Sequence, residues 1–374
     1  MNRIARFCIA FVFISTTLFV AKAQQPLPCG NYRIDTAAEN KALRFHNSNI
    51  NGVTTVNSLV RVYFHICAND DGTNKAITPA QLAVEFTSLL ASYAADNVCF
   101  LNAGTDTVKN TFLNTLFNAD NDPTGSLFNP YQVPGCINCF YTKKINGNNT
   151  ACNPPCGYGG IALGGIPGTF YLVANSNIAS GSTVSHEMGH CLGLLHTFEP
   201  ANGNENIDGS NGTTAGDKVA DTPADPYVFS GSACYTLSAN QCLYTGTCTD
   251  PNGATNYTPP YTNLMGYWWA VTTPTCYASL AATNGQFARV NSFLGSSSAL
   301  INCSSPSSVI LYPITVSSGY YMQSAIGTFI TNGSVVFNGT SKATLGGGIV
   351  YLEPGFHAIP SSGGIVDVKI KPCN

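Results

Sequence analysis

The sequence predicts an α+β domain organised around one histidine-rich helix, followed by a small all-β module at the C-terminal end. Three observations carry this reading. Residues 186–196 read HEMGHCLGLLH, a spacing that places two imidazoles on one face of a helix. Hydrophobic residues fill 44% of the 374 positions and charged residues only 9%. Polar surface must then come from Asn, Thr, Ser and Gly, which suits strands and ordered loops better than a helical bundle. Beyond residue 303 the apolar runs become short and are separated by Gly-rich turns, the pattern of successive small strands.

The histidine string carries chemistry. His186 and His190, a turn apart, can put two nitrogens on one zinc ion at about 2.0–2.1 Å. Glu187 can reach a water on that metal without being a ligand. Gly193 permits the left-handed backbone that stops the helix and turns the chain back. His196 then completes a three-histidine set, leaving a fourth position open, as in catalytic zinc sites. A buried amphipathic helix with satisfied histidines is the rival. It fits poorly, because three of only six histidines fall within these eleven positions.

The net charge of −3 gives no electrostatic case for a nucleic-acid partner. Arg3 and Arg6, the apolar stretch 7–20 and Ala21-Lys22-Ala23 have the order of a cleaved secretory signal. Cleavage after Ala23 and a secreted protein are expected. The apolar run is short for a membrane span and no second one follows, so no transmembrane segment is expected. Fifteen cysteines are present; without Cys8 an even number remains, which suits disulfides in an oxidising compartment. Cys136, Cys139, Cys152 and Cys156 imitate a zinc knuckle, but disulfides are the expected use outside the cell.

Taken in order, residues 24–57 are a polar, pro-like segment with few helix or strand signals. Residues 58–67 (SLVRVYFHIC) read as the first strand of a catalytic domain that extends to 303, with His65 a packed strand residue. Thr78-Pro79 opens a helix over 79–95 whose apolar positions Leu82, Phe86, Leu89, Leu90 and Tyr93 recur at helical period. Residues 109–121 predict a weaker helix. Residues 122–167 predict irregular, disulfide-tied chain, 168–174 a strand, and Ser182 or Thr183 a cap for the histidine helix. The loop 201–226 contains Gly216-Asp217-Lys218-Val219-Ala220-Asp221-Thr222-Pro223, whose closely spaced oxygens suit calcium or an ordinary solvated loop. Met265, taken alone, reads as an ordinary core residue. Residues 280–293 predict a closing helix. Residues 304–374 predict the β module, with His357 structural there.

The string H-E-x-x-H-x-x-G-x-x-H resembles the metzincin signature, and Met265 then reads as its Met-turn. Its continuation His196-Thr197-Phe198-Glu199 resembles the pappalysin branch, peptidase family M43. So do Gly216-Asp217-x-Val219-x-Asp221-Thr222-Pro223-Ala224-Asp225-Pro226, Asn263-Leu264-Met265-Gly266-Tyr267 and Gln286-x-x-Arg289. The resemblance implies a metzincin-type fold over about residues 59–303: a twisted sheet with helices above the cleft, and a loop-rich lower half. It also implies zinc on His186, His190 and His196, Glu187 as general base and acid, and Tyr267 at the tetrahedral intermediate. Asp217, the Val219 carbonyl and Thr222 match positions that bind structural calcium in similar enzymes. Two departures stand out. Cys191 occupies a position usually held by Trp. Trp268, Trp269 and Ala270 replace the acidic residue of Arg-preferring relatives, so a hydrophobic primed-side pocket is expected. Residues 315–374 resemble a repetitive β module of secreted bacterial proteins through Leu352-Glu353-Pro354-Gly355-Phe356-His357-Ala358.

The function these readings predict is that of a secreted zinc-dependent endopeptidase acting on protein or peptide substrates, with the β module a candidate for cell-surface attachment. Cys29 leaves two alternatives open: a thiolate on the fourth zinc position that keeps the enzyme latent, or a disulfide partner. The rival from another class is a secreted binding or adhesive protein whose peptidase fold is narrow or silent. Intact Glu187 and three intact histidines weigh against it.

Overall fold

The computed structural model describes residues 58–149 except 97, then 156–177, 182–226, much of 234–268, 280–296, and the strands between 308 and 370. Residues 1–57, with the expected signal segment and Cys29, lie outside the described residues, as do Trp269 and Ala270.

A five-stranded sheet supports the site. It comprises β1 (Ser58–Ala68), β2 (Val98–Lys109), β3 (Ile137–Thr142), β6 (Gly160–Ala162) and β7 (Phe170–Ala174), in the order β2-β1-β3-β7-β6. All neighbours are parallel except the edge strand β6, which runs antiparallel to β7. Every residue of β3 and β7 is buried, as expected of parallel strands covered on both faces. Side-chain alternation divides the core into two layers. Phe64, Ile66, Cys139, Tyr141 and Tyr171 face the helices, whereas Cys67, Phe140 and Leu172 pack with Phe117 and Phe128 on the other side. There β4 (Ile145–Asn149) and β5 (Cys156–Tyr158) form a separate antiparallel pair.

The helices are α1 (Pro79–Ser92), α2 (Ser182–Cys191) and α3 (Asn284–Ser296). At α1 the Thr78 hydroxyl accepts the Gln81 backbone N–H while Gln81 Oε1 accepts the Thr78 N–H, at 3.2 and 2.8 Å. Such a reciprocal box contributes about 1 kcal/mol through Thr78. The expected apolar stripe packs inward, but Glu85 is buried in it as well.

Four expectations need correction. Residues 109–121 form no α-helix: Lys109 ends β2, and only a single π-turn, Phe112–Leu116, follows. The stretch 122–167 is not merely irregular, because it supplies β3 to β6; pairing with distant chain makes up for weak local signals. Thr183 and Ser182 lie inside α2, so neither caps it. Cys67, Cys136 and Cys139 are buried free thiols, not disulfide partners, whereas Cys191 is free as its position on the histidine helix leads one to expect; Cys67 and Cys139 project to opposite faces of the sheet. Among the described residues Cys234–Cys248 is bonded.

His65 is, as expected, a packed strand residue. Its ring stacks on Phe140 at 4.2 Å, and its two nitrogens meet Asp106 Oδ1 and Asn138 Oδ1 at 2.8 and 3.0 Å. Toward the C-terminus, nine short strands form three parallel three-stranded sheets. The first joins β8 (Ser308–Leu311), β11 (Thr328–Thr331) and β14 (Ile349–Leu352). The second joins β9 (Ile314–Val316), β12 (Val335–Gly339) and β15 (Phe356–Pro360). The third joins β10 (Tyr320–Ser324), β13 (Lys342–Gly347) and β16 (Ile365–Ile370). Each strand pairs with the one three elements further along.

Candidate metal centre

Helix α2 lies against β6, β7 and α1 and carries His186, Glu187 and His190, all fully buried. Helix α1 and the residue after it brace α2: Tyr93 Oη donates to the Ser185 carbonyl at 2.9 Å, and Ser92 Oγ donates to Ser185 Oγ at 3.0 Å. The helix stops where Gly193 takes φ 89°, a conformation glycine enters without Cβ strain. The chain then doubles back and brings His196 over the helix.

The three imidazoles converge. His186 Nε2 and His190 Nε2 each lie 3.2 Å from His196 Nε2. The opposite nitrogens are committed: His186 Nδ1 donates to the Leu264 carbonyl at 2.7 Å, and His190 Nδ1 to the Leu194 carbonyl at 2.8 Å. A proton held on Nδ1 leaves a lone pair on Nε2, so both lone pairs point at the common centre. Burial pushes the His186 pKa down to about 4. Burial and the neighbouring imidazoles hold His190 and His196 well below the usual histidine range. Three neutral nitrogen donors suit zinc with one position left over, and together the three side chains could hold a metal ion.

The turn 263–267 packs against the histidine helix. Met265 is buried, its carbonyl accepts the Thr197 N–H at 3.2 Å, and the neighbouring Leu264 carbonyl orients His186. A Cβ on Gly189 would stand 2.5 Å from Met265 Sδ, so the helix needs glycine there. Tyr267 packs against His196 and Phe198, each at 4.8 Å between rings, and Phe198 stacks on His196. Glu187 is held against β6: a Cβ on Gly160 would overlap its Oε1 and stand 2.8 Å from its Cγ.

Asn263 and Gln286 tie this turn to the rest. Asn263 Oδ1 accepts the Met265 N–H at 2.8 Å, and Asn263 Nδ2 donates to Gln286 Oε1 at 2.8 Å. Gln286 Nε2 donates to Asp217 Oδ2 at 3.2 Å, and Arg289 Nη1 to the Asp217 carbonyl at 2.8 Å. Asp217, Val219 and Thr222 do come together in one turn: Asp217 Oδ1 accepts the Val219 N–H, and the Val219 carbonyl accepts the Thr222 N–H. Glu205, not foreseen from the sequence, is buried beside them, with Gly212 and Gly216 leaving room for its carboxylate. Burial and the Asp217 and Asp225 charges push Glu205 up to about 8, and burial pushes Asp217 up to about 7.

After Tyr267, the Trp268 side chain is fully buried and donates its indole N–H to Asp225 Oδ1 at 2.9 Å. Cys191, at the other departure, is buried and donates weakly to the Phe170 carbonyl at 3.6 Å.

A mostly parallel sheet with one antiparallel edge, a buried histidine helix and an apolar turn near three imidazoles make a domain able to hold a metal ion. Residues 138–294 match the model of the peptidase M43 family, pregnancy-associated plasma protein-A. Extracellular metalloproteases of fungi are similar over longer stretches. That of Podospora anserina is 26% identical over 266 residues, 68% of this chain and 79% of its own length. That of Arthroderma otae is 29% identical over 230 residues, 60% and 74%; that of Verticillium alfalfae is 27% identical over 267 residues, 68% and 82%. The chain is a metalloprotease that resembles the peptidase M43 family over residues 138–294. Among the described residues no helix is long and apolar enough to cross a membrane.

Proposed function

We propose that this chain is a secreted zinc-dependent endopeptidase that hydrolyses peptide bonds in proteins. The observation that carries the reading is the convergence of three buried, neutral imidazoles beside a buried carboxylate. His186, His190 and His196 would hold zinc, which supplies a Lewis acid for the scissile carbonyl and for a water. Glu187 takes a proton as the carbonyl carbon is attacked and returns it to the leaving amine. Tyr267, in ring contact with His196, donates its phenol to the developing oxyanion, a contact worth about 3 kcal/mol. Met265 and Gly189 keep the histidine set seated, and Gly193 sets the turn that brings in His196. Export through residues 1–23 and surface attachment through 304–374 belong to the same reading, as does latency imposed by Cys29. The test is casein cleavage by secreted protein: a zinc chelator should stop it and added zinc restore it. Cleavage that survives complete zinc removal would refute the reading.

A second cation, calcium, fits Asp217, the Val219 carbonyl and Thr222, joined by Glu205. Glu205 Oε2 is buried without a hydrogen-bond partner, and two buried carboxylates side by side call for a counter-charge. Without calcium the folded chain holds protons on Glu205 and Asp217 up to about pH 8 and 7. The unfolded chain releases them near the ordinary carboxylate values of about 4. Stability without calcium is therefore expected to be greatest at the acid end and to fall as pH rises from about 4.5 to 8. Calcium should remove that slope. Thermal unfolding with and without a calcium-selective chelator, in pH steps, measures it. Identical curves would rule calcium out at this turn.

A further inference from the structure

We propose that Asp225 is a positioning residue that couples the third metal ligand to Tyr267. The inference rests on the zinc-peptidase reading above. It starts from a carboxylate shared by two segments far apart in sequence. Asp225 Oδ2 accepts the hydroxyl of Thr197, the residue directly after His196. Asp225 Oδ1 accepts the indole N–H of Trp268, the residue directly after Tyr267, at 2.9 Å. The same two segments meet a second time, where the Thr197 N–H reaches the Met265 carbonyl at 3.2 Å. Thr197 and Trp268 are 1% and 0% exposed, so both donors reach the carboxylate from buried residues.

Rigid packing makes the link directional. The Trp268 indole sits edge-on between Tyr261 at 5.5 Å and Tyr244 at 5.9 Å, and a buried indole N–H needs a partner. Held there, Trp268 fixes the backbone that projects Tyr267 against the His196 ring at 4.8 Å. Thr197 fixes the backbone that projects His196 itself. One carboxylate therefore sets two donors at once. Residues that orient ligands without touching the metal commonly govern affinity by about 10–100-fold. Asp225 touches neither metal nor substrate, and acts through its neighbours.

The experiment compares wild type with Asp225→Ala, Asp225→Asn, Thr197→Val and Trp268→Phe, each loaded with cobalt(II) as a spectroscopic substitute for zinc. Zinc affinity is read by competition with a chromogenic chelator, and folding by thermal denaturation. Asp225→Ala is expected to shift the visible cobalt bands and weaken zinc about 10-fold. Asp225→Asn, which keeps an acceptor for Trp268, should recover most of both. Thr197→Val and Trp268→Phe, which each remove one donor, should give part of the effect and carry the test if Asp225→Ala does not fold. Folded variants with wild-type cobalt spectra and wild-type zinc affinity would overturn the proposal, even if less heat-stable. A wild type that binds neither cobalt nor zinc would overturn the zinc reading, and this inference with it.

Discussion

Glu187→Gln is expected to lower kcat on casein by about 10²–10⁴-fold while the chain keeps its zinc. The substitution preserves shape and leaves His186, His190 and His196 untouched. It removes the only feature the proton transfer needs, a carboxylate able to take a proton and return it. Glu187 is fully buried on α2, between the two helix-borne histidines in sequence and pressed against β6. Because the amide fills the same volume, folding and metal binding should change little, and the loss should fall on kcat with little change in KM. Initial rates of peptide hydrolysis, with zinc measured on the same samples, decide the matter. Retained turnover would remove Glu187 from the chemistry.

Gly160→Val is expected to cost about 10²-fold in kcat with zinc still bound. The reason is space alone. A Cβ at this position of β6 would overlap Glu187 Oε1 and stand 2.7 Å from Thr183 Cγ2. Real Cβ atoms do not come so close, so either the carboxylate or the strand must shift. The histidines are held separately, through Nδ1 bonds to the Leu264 and Leu194 carbonyls, and should stay in place. The Glu187 and Gly160 variants should thus share a phenotype: metal retained, chemistry lost. Loss of zinc from folded Gly160→Val protein would show that the strand supports the ligands instead.

The parts of this site that the sequence reveals are those with a rigid spacing rule. H-E-x-x-H-x-x-G-x-x-H fixes two ligands by helical periodicity and the third by a glycine turn, so spacing alone places His186, Glu187, His190, Gly193 and His196. Met265 and Tyr267 follow only through family resemblance, since Met and Tyr are ordinary core residues. Gly160 and Glu205 are invisible in the sequence, and Asp225 stands out only as part of the family-like stretch 216–226, with no role attached. Each acts across a contact between distant segments, and one glycine or carboxylate among many carries no periodic signal. Gly189 is intermediate: a small residue between the helix ligands hints at close approach, and the Met265 sulfur supplies it.

The fold divides in the same way. Strand β1 and helix α1 announce themselves by β-branched density and by the Thr78-Pro79 start. Strand β2, reading VCFLNAGTDTVK, does not: its second half is polar because it lies at the edge of the sheet. Burial on the two sides of the sheet also explains the cysteines. Parity counting assumes that thiols seek one another, whereas Cys67, Cys139 and Cys191 behave as small apolar residues packed into the core.

The most direct test of the zinc centre is the metal content of purified chain, measured by inductively coupled plasma mass spectrometry on wild type and on His190→Ala and Glu187→Gln. One zinc per wild-type chain is expected, the same for Glu187→Gln, and near none for His190→Ala. A wild type without zinc after dialysis against a trace of the metal, or a His190→Ala chain that keeps it, would contradict the claim that these imidazoles form the centre.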